Sequence, residues 1–453
     1  MKLKTKLFGD TYQFDSVKEV LAKANEPKSG DVLAGIAARD AKERVAAKVV
    51  LSELTVKDLT ENPAVPYDRD EVTRICIDDL DREAYNRLAG MTIGELRDYI
   101  LSDLCEEKDL HTIGRGLVPE CAAAVAKLMG NMDLVYGASR LRVAATCCTT
   151  IGEAGVLASR LQPNHPSDDP DGITASVLEG LSYGVGDAVI GLNPVDDRTE
   201  SVSAVLKRLD EIKQKYDIPT QICVLAHVTT QMDAVRKGAP TDLIFQSVTG
   251  SQKGNESFGI SAAMLEEARH LALSTGRAKG QNVLYFETGQ GSELSADAHF
   301  GADQVTMEAR CYGFSRHFAP FLVNTVVGFI GPEYLFDSKQ VIRAGLEDHF
   351  MGKLLGVPMG CDACYTNHMR ADQNDIEDLA VLLASAGCNY FMGIPHGDDV
   401  MLGYQTTGYH ETATLRRLLR LRPIPEFEAW LQKRGFWENG KPTRLTGDGS
   451  ALL

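Results

Sequence analysis

The chain has 453 residues, of which 44% are hydrophobic, 24% charged and only 7% aromatic. That is enough apolar material to bury a large core, which excludes a disordered polypeptide and a small disulfide-stapled scaffold. Lys and Arg number 47 against 63 Asp and Glu, a formal net charge of -16 and the wrong sign for a chain built to grip nucleic acid or an anionic membrane.

The opening MKLKTKLFGD carries cations but no apolar segment or small-residue cleavage site behind them, and no run reaches the ~18 apolar residues of a membrane span. The chain therefore reads as cytoplasmic. Ten cysteines without a framework spacing fit a reducing compartment. Roughly the first 110 residues read as helices. Ser16-Val17-Lys18-Glu19 and Thr92-Ile93-Gly94-Glu95 each have the hydroxyl and the acid, three residues apart, that cap a helix N-terminus. The charges of DAKERVAAK and DDLDREAYNR read as solvated helix faces, and no chemistry stands out among them.

From about residue 150 short apolar runs rich in Val, Ile, Leu and Phe alternate with helical stretches, which is the βα pattern. The runs are VLASR (156–160), AVIGLN (188–193), QICVLAH (221–227), DLIFQ (242–246), VLYFE (283–287), FLVNTV (321–326), VPMGCD (357–362) and NYFMG (389–393). Eight near-continuous apolar strands match a closed (β/α)8 TIM barrel, an α/β fold. An open doubly wound sheet is the alternative, but no G-x-G-x-x-G follows a strand to support its dinucleotide-binding form. The third gap leaves only MDAVRKG for a helix, while the fourth and fifth are long and Gly-rich (TGSQKGNESFG, TGQGSELSADAHFGADQ). Long loops at strand C-termini are where barrel enzymes keep binding elements. An Arg-rich helix, TATLRRLLRLRP, ended by Pro423 and Pro425, follows the last strand as a packing or subunit-contact element.

In a barrel, function is written at the strand ends: Arg160 and Gln162, Asn193, His227, Gln246, Glu287, Asn324, Asp362 and the Gly393–Asp399 region. Buried Arg and Glu are costly without partners, so this ring suggests mutual pairing around a small polar ligand, although each residue alone is also explained by a structural hydrogen bond. No strand ends in Lys, which disfavours a Schiff-base aldolase. His227 stands alone and reads as a satisfied structural histidine, so a metal hydrolase lacks ligands. Cys361-x-x-Cys364 with His368 resembles half a zinc site, but nothing completes four ligands, and no metal site is assigned. Two carboxylates suit an ammonium, Arg suits an oxygen gaining negative charge, and amides fix orientation. A small amino alcohol fits such a site. The site supplies no obvious reagent, which points to a cofactor carrying the difficult chemistry.

Longer strings carry more than single residues. ASRLQPN (158–164), EGLSYGVGDAVIGLNPV (179–195), IPTQICVLAHVTTQ (218–231), LIFQSVTGS (243–251), LYFETGQGSELSA (284–296), VNTVVGFIGPEYL (323–335), MGCDACYTNH (359–368) and MLGYQTT (401–407), in this order, closely resemble the large catalytic subunit family of ethanolamine ammonia-lyase, a radical enzyme that uses adenosylcobalamin. The resemblance implies a substrate site for ethanolamine at Arg160, Gln162, Asn193, Glu287 and Asp362, with Arg160 and Asn193 on the hydroxyl, Gln162 and Asp362 on the amino group and Glu287 reaching both. Of these, Glu287, Arg160 and Asp362 are implied as catalytic. Cofactor contacts are implied at Pro194, Gln246, Ser295 and Met401, with the rest of that pocket supplied by a small subunit. The family also implies homodimers assembled into a larger hetero-oligomer, inside a bacterial ethanolamine-utilization microcompartment.

Val326 and Met392 near the mouth either limit solvent and stray hydrogen donors or simply pack. Asp297-Ala298-His299-Phe300-Gly301 is one residue short of the D-x-H-x-x-G signature that ligates cobalt through His, so His299 is expected to be a loop residue. The expected organisation is a helical region over 1–110, the catalytic barrel over 111–410 and a short helical extension over 411–453. Two other readings stand beside the cobalamin enzyme: a cofactor-free barrel lyase or isomerase using Glu287 as base, and a non-catalytic assembly core. The second gives no reason to keep costly charges in a barrel mouth.

Overall fold

In the computed structural model, which describes every residue except Phe8, each of the eight apolar runs forms a strand, and seven of the eight neighbouring pairs form parallel ladders. The strands are β1 (Ala158–Leu161), β2 (Val189–Leu192), β3 (Ile222–Val224), β4 (Ile244–Ser247), β5 (Leu284–Thr288), β6 (Leu322–Val326), β7 (Met359–Asp362) and β8 (Tyr390–Gly393). β8 pairs with β1, so the sheet wraps into a barrel that is nearly closed. The helices that follow are α1 (Pro170–Ser182), α2 (Thr199–Tyr216), α3 (Val228–Arg236), α4 (Ala262–Ser274), α5 (Gln304–His317), α6 (Ser338–Leu354), α7 (Gln373–Ser385) and α8 (Tyr409–Leu419). α1 and α4 to α7 each start on an Asp or Ser whose side chain accepts a first-turn N–H, which ends the preceding loop sharply.

The seam lies between β3 and β4, where β3 is shorter than its apolar run because the chain after Val224 turns toward α3. Across it the N–H groups of Asp242 and Leu243 both bond to the Ile222 carbonyl, and Ile222 N donates to Asp242 Oδ2 at 2.9 Å. The buried side chain of Gln231, on α3, supplies the missing rungs. Its Nε2 donates to the Ala226 carbonyl at 2.6 Å and the Phe245 carbonyl at 2.7 Å, and its Oε1 accepts from Phe245 N at 3.0 Å. Gln246 does the same higher up, accepting from Val228 N at 2.9 Å.

The N-terminal region opens with a hairpin, Lys4–Leu7 against Asp10–Gln13, which the helical reading missed because four-residue strands carry too little pattern. Helices follow as expected, and Thr92 and Glu95 form a reciprocal cap. Ser16 caps its helix, but Glu19 reaches back to Asp15 N rather than to Ser16 N. These helices pack on α5 and α6, which are consequently buried on both faces and lack a polar side. Charge inside this second layer is paired: Lys28 with Glu347 at 2.7 Å, Lys127 with Asp303 at 2.9 Å, and Arg310 with Asp70 and Glu120 at 2.7 Å each. Burial works against an ionised Glu347, yet Lys28 and Arg343 hold its carboxyl down to about 2.

Beyond β8, Arg416 on α8 is buried and bonds to Asp187, Leu157 O and Gly184 O, so the Arg-rich helix packs against the barrel floor. A helix over Pro425–Arg434, a hairpin of Trp437–Glu438 with Lys441–Pro442 and a short helical turn over Gly449–Leu452 packed on α1 complete the chain. Among the described residues no helix is long and apolar enough to cross a membrane.

Replacing Gln231 by Leu keeps the volume but strands a buried N–H and two carbonyls at the seam. The expected loss is about 2 kcal/mol or more, read as a lower unfolding midpoint; an unchanged midpoint would show that the seam does not depend on this side chain.

Candidate active site

The strand ends converge on a cavity of about 300 Å³ at the C-terminal mouth of the barrel, walled by Gln162, Asn193, Glu287, Asp362 and Tyr404 among apolar side chains that include Leu225, Phe245, Phe258, Val326, Phe329, Met392 and Leu402. Four of the five residues expected to meet substrate therefore line one space. The fifth, Arg160, is fully buried directly beneath it.

Arg160 is the hinge of the arrangement. One guanidinium nitrogen, Nη1, donates to Glu287 Oε1 at 2.5 Å and to the Tyr285 hydroxyl, while Nη2 donates to Gln162 Oε1. Tyr285, two residues before Glu287 and so on the same face of β5, also donates to Glu287 Oε1. Asn324, opposite Glu287 on β6, adds a third donor to that oxygen at 3.3 Å. Burial disfavours the charge on Arg160, but Tyr285 and Glu287 outweigh it and raise its basicity further.

Asp362, at the end of β7, accepts from Tyr404 Oη at 2.9 Å and from the Thr406 hydroxyl. Burial pushes its carboxyl up to about 7. The charge of Glu287 adds to this, and the hydrogen bonds from Thr406 and Tyr404 with the charge of Arg160 oppose it only in part. The site thus holds one carboxylate clamped by a guanidinium and one carboxyl that exchanges its proton near neutral pH.

The loops explain the glycines. Gly289 and Gly291 follow β5, where a Cβ on the first would meet Val326 O at 2.7 Å and the second has φ of +102° with Tyr334 at its back. Only bare backbone lets this loop pass so close to β6. His227 is not in the cavity wall; it caps α3, and its Nε2 meets Phe258 O at 2.9 Å, seating a loop whose Phe258 is. Of the residues expected to touch the cofactor, Pro194 and Met401 are half-buried on the loops after β2 and β8, Gln246 is buried in the β3–β4 seam, and Ser295 is exposed on the β5 loop. None of the four lines the cavity itself. His299 is a half-buried loop residue facing Ala302 O. Cys361 and Cys364 are free and buried, and among the described residues no cluster of three His, Cys, Asp or Glu could hold a metal ion.

Sequence reading passed over Tyr285, Asn164, Tyr404 and Thr406. The period of two from Glu287 points to Tyr285; the loop residues Tyr404 and Thr406 carry no such signal.

An Asp with a raised carboxyl is neutral in both folded and unfolded chains below 3.8, and from 3.8 to about 7 only the unfolded chain gives up its proton. Stability therefore falls as pH rises through this window. Against Asp362→Asn, the wild type is expected to lose up to about 4 kcal/mol between these limits, measured by denaturation at each pH. Parallel curves would overturn the assignment.

The chain matches the family described as Ethanolamine ammonia lyase large subunit over residues 12–445. Over 453 residues it is 60% identical to the Ethanolamine ammonia-lyase large subunit of Escherichia coli strain K12 and 59% identical to that of Salmonella typhimurium strain LT2, covering 100% of both chains in each comparison.

Proposed function

The chain belongs to the ethanolamine ammonia-lyase large-subunit family and is a lyase, and from that premise we propose that its barrel cavity deaminates ethanolamine to acetaldehyde and ammonia, with adenosylcobalamin as cofactor and a small subunit as partner. The observation that carries this reading is the pairing, in one small cavity, of Glu287 with Asp362 among amides and above a buried guanidinium. Glu287 and Asp362 would receive the ammonium, with Gln162 beside Asp362. Asn193 and Arg160 would meet the hydroxyl oxygen, Arg160 through N–H groups that Gln162 and Glu287 otherwise occupy.

The surroundings suit a large cofactor. Ethanolamine alone does not fill about 300 Å³. The loops after β2, β6 and β8 expose Val195, Phe329 and Val400 at 48%, 40% and 67%, an apolar rim that a broad, flat ring would cover. Pro194, Gln246, Ser295 and Met401 would hold it there. When bound, adenosylcobalamin supplies a carbon-centred radical able to take a hydrogen atom from the carbinol carbon.

The chain's own residues do the rest. Asp362, with its proton exchangeable near pH 7, can hold or return a proton at the amino nitrogen while the carbon–nitrogen bond is lost. Arg160 stabilises negative charge developing on the oxygen. Phe258, Val326, Phe329 and Met392 keep water out of the reacting space. We place the enzyme, as a hetero-oligomer, in an ethanolamine-utilization microcompartment on the strength of the family alone.

With the small subunit, adenosylcobalamin and ethanolamine, the chain is expected to release ammonia and acetaldehyde, and leaving out the cofactor should abolish this. Turnover without it would favour a cofactor-free lyase. Glu287→Gln keeps an acceptor for Arg160 and should still fold, with a lower unfolding midpoint because the buried guanidinium loses its counter-charge, and should lose about 100-fold or more in kcat; near wild-type turnover would sink the role given to Glu287.

A further inference from the structure

Asp399 lies just beyond β8 and is 3% exposed. It receives four N–H groups. Oδ1 accepts from the backbone of Met401 at 2.9 Å and Leu402 at 2.6 Å, and Oδ2 accepts from Gln162 Nε2 at 2.9 Å and Asn164 Nδ2 at 2.8 Å. An ionised carboxylate only accepts, so the amide of each partner must turn its NH2 end toward Asp399. The carbonyl ends then point the other way. Gln162 Oε1 faces Arg160 Nη2, and Asn164 Oδ1 accepts Asn193 N at 2.9 Å.

We propose that Asp399 is a positioning residue for the reaction, setting the polarity of the Gln162 and Asn164 amides and joining them to the loop that carries Met401, Leu402 and Tyr404. This rests on the reading of the cavity as the substrate site. The carboxylate works in two directions. Toward the barrel it presents the Gln162 carbonyl to Arg160, whose Nε has no partner and which can ill spare a second. Toward the mouth it pins Leu402 and, through the chain, Tyr404, whose hydroxyl bonds Asp362 and lies 3.5 Å from Gln162 Nε2. One acceptor thus fixes how Arg160, Asp362 and the β8 loop stand relative to each other.

Asp399→Asn tests polarity at constant shape. The amide keeps the oxygen for Met401 and Leu402 but opposes an NH2 group to those of Gln162 and Asn164. Gln162 must then flip, turning its own NH2 on Arg160. In the complex with small subunit and adenosylcobalamin, kcat/KM for ethanolamine is expected to fall about tenfold or more, with a lower thermal unfolding midpoint. Gln162→Glu alone sets two carboxylates face to face and should also be impaired. Combining the two restores an acceptor for Arg160 and a donor for position 162, so the double variant should exceed both single variants in midpoint and in kcat/KM.

A double variant no better than Asp399→Asn, or an Asp399→Asn enzyme at wild-type kcat/KM, overturns the proposal. Should Asp399→Asn not fold, recovery of folding on adding Gln162→Glu supports the proposal and its failure overturns it. The midpoints need no turnover, so they judge the polarity of this network separately. Absence of ammonia release by the wild-type complex would instead defeat the substrate assignment on which the catalytic role rests.

Discussion

A guanidinium buried at the centre of a barrel has to be answered, and the answer to Arg160 organises the site. An isolated charge out of water costs several kcal/mol or more unless it is paired and hydrogen-bonded. Arg160 takes Gln162 from the end of its own strand and Glu287 and Tyr285 from β5, which meets β1 across the barrel only when the sheet curls round. Each partner then needs its own. Asn324 shares Glu287, Asp399 takes the far end of Gln162, and Tyr404 links Gln162 to Asp362. The hydrogen bonds form one connected set around the cavity, in which loosening one member exposes the charge of another.

The wall behind this set is polar too. Outward-facing Thr288 and Thr325, on β5 and β6, donate to Glu308 at 2.9 Å and Asp348 at 2.8 Å, on α5 and α6. Burial pushes both carboxyls up, Asp348 to about 7. Gln290 of the β5 loop reaches Asp348 at 2.7 Å, and Lys28 enters from the N-terminal region to neutralise Glu347 beside it. The N-terminal helices therefore brace the two strands that present Glu287 and Asn324. A cover that turns two barrel helices into interior helices also removes their water-facing side, so most polar groups there are paired within the protein, with Ser315 Oγ and His349 Nε2 among the exceptions.

Much of this was legible along the chain. Parallel strands buried on both faces are continuous apolar runs, and all eight stand out on that basis. Arg160, Gln162, Asn193, Glu287 and Asp362 are conspicuous because polar residues at the ends of such runs have nowhere to go but the mouth. Tyr285 is hidden by its own hydrophobic character, since an aromatic residue in a strand reads as core. Lys28, Lys127 and Arg310 are hidden for the opposite reason: a charge on a helix, or just before one as at Lys28, reads as solvated until a second layer covers it. Asp399 falls in the Gly393–Asp399 stretch that stands out after the last strand, but only its four donors tell it apart from its neighbours there.

The sequence by itself determined the alternation of strands and helices, the acidic balance, the absence of a long apolar span and the polar character of the strand ends. These follow from local pattern and composition, which need no partner to be read. Tertiary structure decided which polar group faces which, the way each amide turns, and the proton affinity of Asp362. Those properties depend on desolvation and on hydrogen bonds about 3 Å long, between residues as far apart in the chain as Gln162 and Asp399. Such forces fall away within a few ångströms, so no spacing along the chain could have encoded them without the fold that closes the distance.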